Sequence, residues 1–162
     1  MDAAAARSHP QPALLVETYR KARPQAPDGE LRSAIMGDAL FGAGSRRLAD
    51  AHAGSAAATY RYSFSWRSNA LGGELGATHA VELPFVFDVT HLPRLRGPQA
   101  LLDPDEPPSD LAARMHAAWV AFATAGHPGW DRYDTRRRAT MCIGDDWSVV
   151  DNPRGEELQA WP

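Results

Sequence analysis

The residues of this 162-residue chain best suited to proton transfer, nucleophilic attack or metal binding are its six histidines and its single cysteine. His9, His52, His79, His91, His116 and His127 show neither HExxH nor Cys/His ligand spacing, so no metal site and no cofactor are expected. By type alone a lone histidine such as His79 reads as the end of a loop. Cys142 falls in the apolar run ATMCIG, where burial raises a thiol's pKa and makes it structural rather than nucleophilic. An activated serine on a strand-to-helix elbow needs Gly-x-Ser-x-Gly. Of Ser8, Ser33, Ser45, Ser55, Ser63, Ser65, Ser68, Ser109 and Ser148, none has a glycine two residues before it.

Composition narrows the classes. Hydrophobic residues make up 44% and charged residues 23%, as in globular domains, which disfavours a largely disordered chain. The length fits one domain that buries about 68–70% of its unfolded surface. Seventeen Lys and Arg against 20 Asp and Glu leave a net charge of -3, so neither nucleic acid nor an anionic membrane is expected as a partner. The run Arg136-Arg137-Arg138 has no interleaved aromatics and reads as a solvated loop or strand edge. One cysteine cannot form an internal disulfide, which fits a reducing compartment. The opening MDAAAARSHPQP lacks the apolar core of a signal peptide, and no run reaches the roughly 18–20 apolar residues that span a bilayer. A soluble, cytoplasmic protein is the expectation.

The elements that must position any site follow from periodicity. Residues 1–12 read as a flexible tail and residues 13–162 as the folded portion. Leu14, Leu15 and Tyr19 predict a helix over 13–21 that Pro24 and Pro27 stop. Asp28 offers an N-cap for GELRSAIMGDALFG, with Leu31, Ile35, Met36, Leu40 and Phe41 at helical intervals, and SRRLADAHA predicts a separate short helix ending at Gly54. From Tyr60 to Arg67 aromatics alternate with Arg and Ser, which predicts a strand with one aromatic face. A Gly-rich connection and VELPFVFD follow, with Phe85 and Phe87 read as core. After a Pro- and Asp-rich loop (93–108), Ser109 is the expected N-cap of a helix that carries Leu111, Met115, Trp119 and Phe122 along one stripe to a stop at Gly126. ATMCIG and WSVVD predict two short strands joined by Gly144-Asp145-Asp146, and 154–161 a last helical turn or two.

The segment Gly76-Ala77-Thr78-His79-Ala80-Val81-Glu82-Leu83-Pro84-Phe85-Val86-Phe87 closely resembles the catalytic-histidine block of type B carboxylesterases, the family of para-nitrobenzyl esterases and cholinesterases. Its flanks agree. TYRYSFSWRS resembles the family's preceding core strand, GDALFGAGSRRLADAHA its Asp-x-x-Phe region, RMHAAWVAFATAGHPGW its Met-x-x-x-Trp-x-x-Phe-Ala helix, and YDTRRRATMCI the stretch after it. The likeness runs over roughly residues 14–161. It implies the C-terminal part of an α/β-hydrolase fold, with an incomplete sheet, and hydrolysis of carboxylic esters by a serine triad in the chain order nucleophile, acid, histidine. His79 would then be the catalytic histidine. An imidazole with an ordinary pKa near about 6.5 can take the serine's proton and return it to the departing alkoxide. Glu82 has two readings: a carboxylate that supports the catalytic centre through hydrogen bonds, as in the family, or a solvent-exposed or helix-start carboxylate.

The family pattern is broken at three of its four catalytic elements. The elbow, the triad acid and the Gly-rich oxyanion segment have no counterpart here, so the isolated chain is expected to be inactive. Positioned acid–base help is worth about 10²–10⁴-fold only where there is a nucleophile to assist. The partner implied is a small-molecule carboxylic ester, bound once a missing N-terminal portion completes the enzyme. The alternative is a non-catalytic remnant or binding protein of the carboxylesterase-like family. If the rest of the sheet is missing, the strand at 60–67 presents an unpaired edge through which copies self-associate.

Overall fold

The computed structural model describes residues 9–104, 107, 108 and 110–162. They pack as two compact units: one holds the chain up to Ala57 with Asp134–Arg136 and Asn152–Pro162, the other Ala58–Tyr133 with Arg137–Asp151.

The first unit is helical. α1 spans Pro12–Ala22 and buries Leu15 and Tyr19 one turn apart. Proline at its first position has its φ preset for the helix and lacks an N–H that would otherwise go unbonded. α2 spans Asp28–Gly37, with Asp28 and Glu30 in a first turn where helix-dipole charge favours them. Pro27, not Asp28, occupies the N-cap position, without a side-chain cap. α2 then passes through a π-helical turn, Asp38–Gly42, directly into α3, Ala43–His52. The two helices expected here are therefore one continuous run. Gly37 and Gly42 keep ordinary helical angles (φ -61 and -63), and a glycine ends a helix only when it turns left-handed. The apolar stripe also stops early: Leu31 and Ile35 are buried, whereas Leu40 is 69% exposed. The last helix of this unit, α6, is Gly155–Gln159. The chain is tied down before α1, because His9 donates from Nε2 to the Ala160 carbonyl (2.7 Å) and sits edge-on to Trp161. The Gln11 N–H bonded to Nδ1 fixes that tautomer. The expected tail through residue 12 is thus ordered from His9; residues 1–8 lie outside the described residues, as does the Ser109 N-cap.

The second unit carries the sheet. β1 (Tyr62–Phe64) lies parallel to β2 (Ala139–Ile143), which forms an antiparallel hairpin with β3 (Trp147–Asp151) through Gly144–Asp146. The strand order is β1-β2-β3, so β1 is an edge among the described residues. The ladder at β1 is three residues long rather than the eight of the aromatic repeat, because only Met141–Ile143 of β2 face it. The alternation survives beyond the ladder. Tyr60 and Tyr62 meet Phe122 and Trp119 edge-on, and Phe64 and Trp66 meet Phe85. The core packs Trp66, Val81, Phe85, Leu102, Met115 and Ile143 between the sheet, α4 (Leu83–Val86) and α5 (Leu111–Ala125). Gly126, at φ +77, ends α5 as expected. Phe87, read as core, is instead 65% exposed, and the stripe of α5 opens at Trp119 and Phe122, which are 43% and 44% exposed.

Candidate active site

His79 lies in a turn between β1 and α4, wholly within the second unit. After β1 the chain makes a closed loop. The backbones of Ser68 and Gly76 exchange two hydrogen bonds of 3.2 Å, and the Ser68 hydroxyl accepts the Ala70 N–H inside the loop. Gly76 leaves the pinch at φ +58, and the Arg67 guanidinium lies where a Cβ would contact it at 3.1 Å. The turn that follows is closed by the Val81 N–H on the Thr78 carbonyl and the Leu83 N–H on the Ala80 carbonyl. Ala80 adopts φ +68, a left-handed conformation that costs a residue with a Cβ free energy and recurs at functional sites. Val81 and Phe85 on either side of Glu82 are buried in the core, so the turn is anchored while His79 itself faces out.

Glu82 is at the N-cap position of α4, where its carbonyl accepts the Phe85 and Val86 N–H groups, both at 3.0 Å. Its side chain makes no cap bond. Burial first, and then the negative charge of Glu82, raise the Tyr62 phenol pKa, so the carboxylate acts on the strand that leads into the site. Position therefore agrees with the helix-start reading, and the charge is felt at β1 as well.

The other candidates are scattered. His52 interacts with Ser55, His116 bonds the Val86 carbonyl, and His91 and His127 are exposed. Among the described residues no group of three or more His, Cys, Asp or Glu is placed to hold a metal ion. Cys142 is half-buried in β2 opposite Ser63 and Ser148, and burial raises its thiol pKa, as its apolar setting implied. Arg137 in the basic run is paired with Asp131 and Asp151, both at 3.0 Å. No helix among the described residues is long and apolar enough to cross a membrane.

One feature escaped the sequence reading. Tyr60, Tyr62, Trp119, Phe122 and Trp130 line an apolar cleft of about 100 Å³ that shares no residue with the His79 turn. The stripe on α5 signalled these aromatics. Nothing in its spacing showed that the stripe outruns the sheet it packs on.

Comparison with known proteins agrees with this architecture. The model of the carboxylesterase family matches residues 13–161. Phenmedipham hydrolase of Pseudarthrobacter oxydans is 32% identical over 128 residues, covering 72% of this chain and 24% of that protein. Liver carboxylesterase of Sus scrofa is 28% identical over 137 residues, covering 78% and 23%. A solved carboxylesterase of Geobacillus stearothermophilus superposes with a TM-score of 0.78 at 32% identity, covering 96% of this chain and 33% of that one. The chain thus spans about a quarter to a third of the length of these relatives, and its three-stranded sheet is part of the α/β-hydrolase fold. With a family match across nearly all of its length and the fold of a solved esterase, this chain belongs to the carboxylesterase family.

Proposed function

We propose that this chain is the C-terminal portion of a type B carboxylesterase and supplies only the histidine, His79, of a triad that hydrolyses small carboxylic esters in the cytoplasm. The observation that carries this reading is the His79 turn itself: an outward-facing imidazole on a closed, anchored loop, beside a residue held at φ +68. His79 takes the proton of a serine supplied by an upstream portion, then gives it to the leaving alkoxide; an upstream carboxylate holds the imidazole's tautomer. Glu82 supports this centre from the start of α4. The exposed edge of β1 is where the upstream sheet, or in its absence a second copy of this chain, pairs.

The lack of a Gly-x-Ser-x-Gly elbow favours a second reading for the isolated chain, a non-catalytic remnant. Para-nitrophenyl butyrate hydrolysis separates the two. Alone, the chain and its His79→Ala variant should both match the buffer rate. Co-expressed with an upstream segment carrying the elbow, the wild-type chain should turn over and His79→Ala should not. A completed enzyme that never shows activity would sink the catalytic reading, and activity by the chain alone would show that it holds its own nucleophile.

A further inference from the structure

We propose that Asp103 and His116 are positioning residues that clamp the two ends of the His79 segment, an assignment that rests on His79 being the catalytic base. At the first end, the Asn69 N–H donates to Asp103 Oδ2 at 2.9 Å, and the Leu71 N–H donates to the Pro98 carbonyl at 2.8 Å. Both acceptors belong to the 93–103 loop. That loop is itself fixed: Leu102, fully buried, donates to the Leu95 carbonyl (2.8 Å) and accepts from Gly97 N–H (2.9 Å). Asp103, next in sequence, is 4% exposed. A buried carboxylate bonded to a loop amide gives a charge-assisted bond, stronger and shorter than one to a neutral acceptor. It fixes the base of the loop that Ser68 and Gly76 close, three residues before His79.

At the second end, His116 Nδ1 donates to the carbonyl of Val86, the last residue of α4, at 2.9 Å. A carbonyl only accepts, so Nδ1 carries the hydrogen. α5 is 15 residues long, and fully buried Met115 beside His116 sets its rotation. Between the posts the chain holds Gly76 at φ +58 and Ala80 at φ +68. Glycine takes such an angle freely, whereas at Ala80 it is strained and persists only where the surroundings over-determine it.

The test is backbone ¹⁵N relaxation on the labelled chain. In the wild type the amides of 77–80 should be as ordered as those of α5, with order parameters near about 0.85. Asp103→Ala and His116→Ala should each drop them below about 0.6 while the amides of Thr140 and Cys142 in β2 stay unchanged. Asp103→Asn, which keeps an oxygen acceptor, and His116→Asn, which keeps an N–H donor, should restore order. If Asp103→Ala does not fold, Asn69→Pro removes the same bond from an exposed position whose φ of -84 is close to proline's. His116 is exposed, so its alanine variant should fold. Residues 77–80 that are mobile in the wild type, stay ordered in the alanine variants, or are not restored by the asparagine variants would overturn the proposal. A merely structural role would lower the thermal midpoint and leave 77–80 ordered. These amide readings hold whether or not His79 meets a nucleophile. In the completed enzyme, loss of either post should lower kcat about 10- to 100-fold with KM little changed. An active His79→Ala enzyme would overturn the catalytic reading alone.

Discussion

Two residues around His79 meet the same backbone demand at opposite cost. Gly76 and Ala80 both sit at positive φ, +58 and +68, but only one of them is glycine. Gly76→Ala adds a Cβ in the left-handed region, at a cost of about 1 kcal/mol. The atom it would meet, Arg67 Nη2 at 3.1 Å, is the end of a flexible side chain and can move aside. Ala80→Gly removes the same strain and should stabilise by about 0.5–1 kcal/mol. Thermal melts should therefore shift in opposite directions, each by about 2–4 °C or less; equal signs would mean that the turn is not held as described. Cys142 allows a second check. Its thiol is half-buried and its pKa is raised, so native protein should react with iodoacetamide far more slowly than unfolded protein. Labelling at the unfolded rate would overturn its reading as a structural thiol. At this scale the sequence was legible through motif rather than through physics. His79 stood out because the residues around it matched a family block, whereas Asp103 and His116 act through bonds to backbone atoms, which no side-chain pattern reveals.

The helical unit depends on a buried polar network at the joint of its elements. Tyr19 on α1 donates to Asp38 (2.5 Å) at the start of the π turn, and Trp161 donates to the Tyr19 hydroxyl (2.8 Å). Arg154 pairs with both Asp38 and Glu157, and Arg23 pairs with Glu157 at 2.6 Å. Gly42 belongs to this joint because a Cβ there would overlap the Asp38 carboxylate, so Gly42→Ala should cost about 1–3 kcal/mol in urea unfolding. Burial pushes the Glu157 carboxyl up, but its bonds to Arg23 and Arg154 outweigh that, and its pKa lies below the usual 4.5. A depressed carboxyl pKa gives stability that is fully present above about pH 4.5 and is lost as pH falls through the folded value. Glu157→Gln should therefore flatten the fall in thermal midpoint below about pH 4.5. An unchanged acid limb would mean that other carboxylates control it. The spacing of Leu15 and Tyr19, and of Leu31 and Ile35, made the helices legible. The π turn was not, since the contacts at it are tertiary: the Asp38 carboxylate lies over Gly42 and is held by Tyr19 on α1 and by Arg154, 116 positions away.

On the scale of the whole chain, the fold class was readable and the extent of its surface was not. Alternating aromatics gave β1, and apolar runs around Gly144 gave the hairpin, but only pairing shows where the sheet stops. The Arg61 carbonyl accepts from Met141 N–H and the Ser65 N–H donates to the Ile143 carbonyl, so residues 61, 63 and 65 turn their backbone polar groups toward β2. Strand alternation then directs those of Tyr62 and Phe64 to the other edge, where no strand is paired among the described residues. Parallel strands occur almost always inside sheets covered on both faces, so a parallel edge three residues long is an unusual terminus. Beside it stands the half-exposed shelf of Trp119 and Phe122. An unpaired edge next to an apolar shelf favours association between copies. Sedimentation velocity over about a 100-fold range of concentration should show reversible self-association that weakens in a Trp119→Lys/Phe122→Glu double variant, which removes the shelf and leaves β1 intact. Co-expression with an upstream segment that covers the edge should abolish it. A chain that stays monomeric throughout, or a completed enzyme that associates as the isolated chain does, would show that the edge of β1 attracts no second copy.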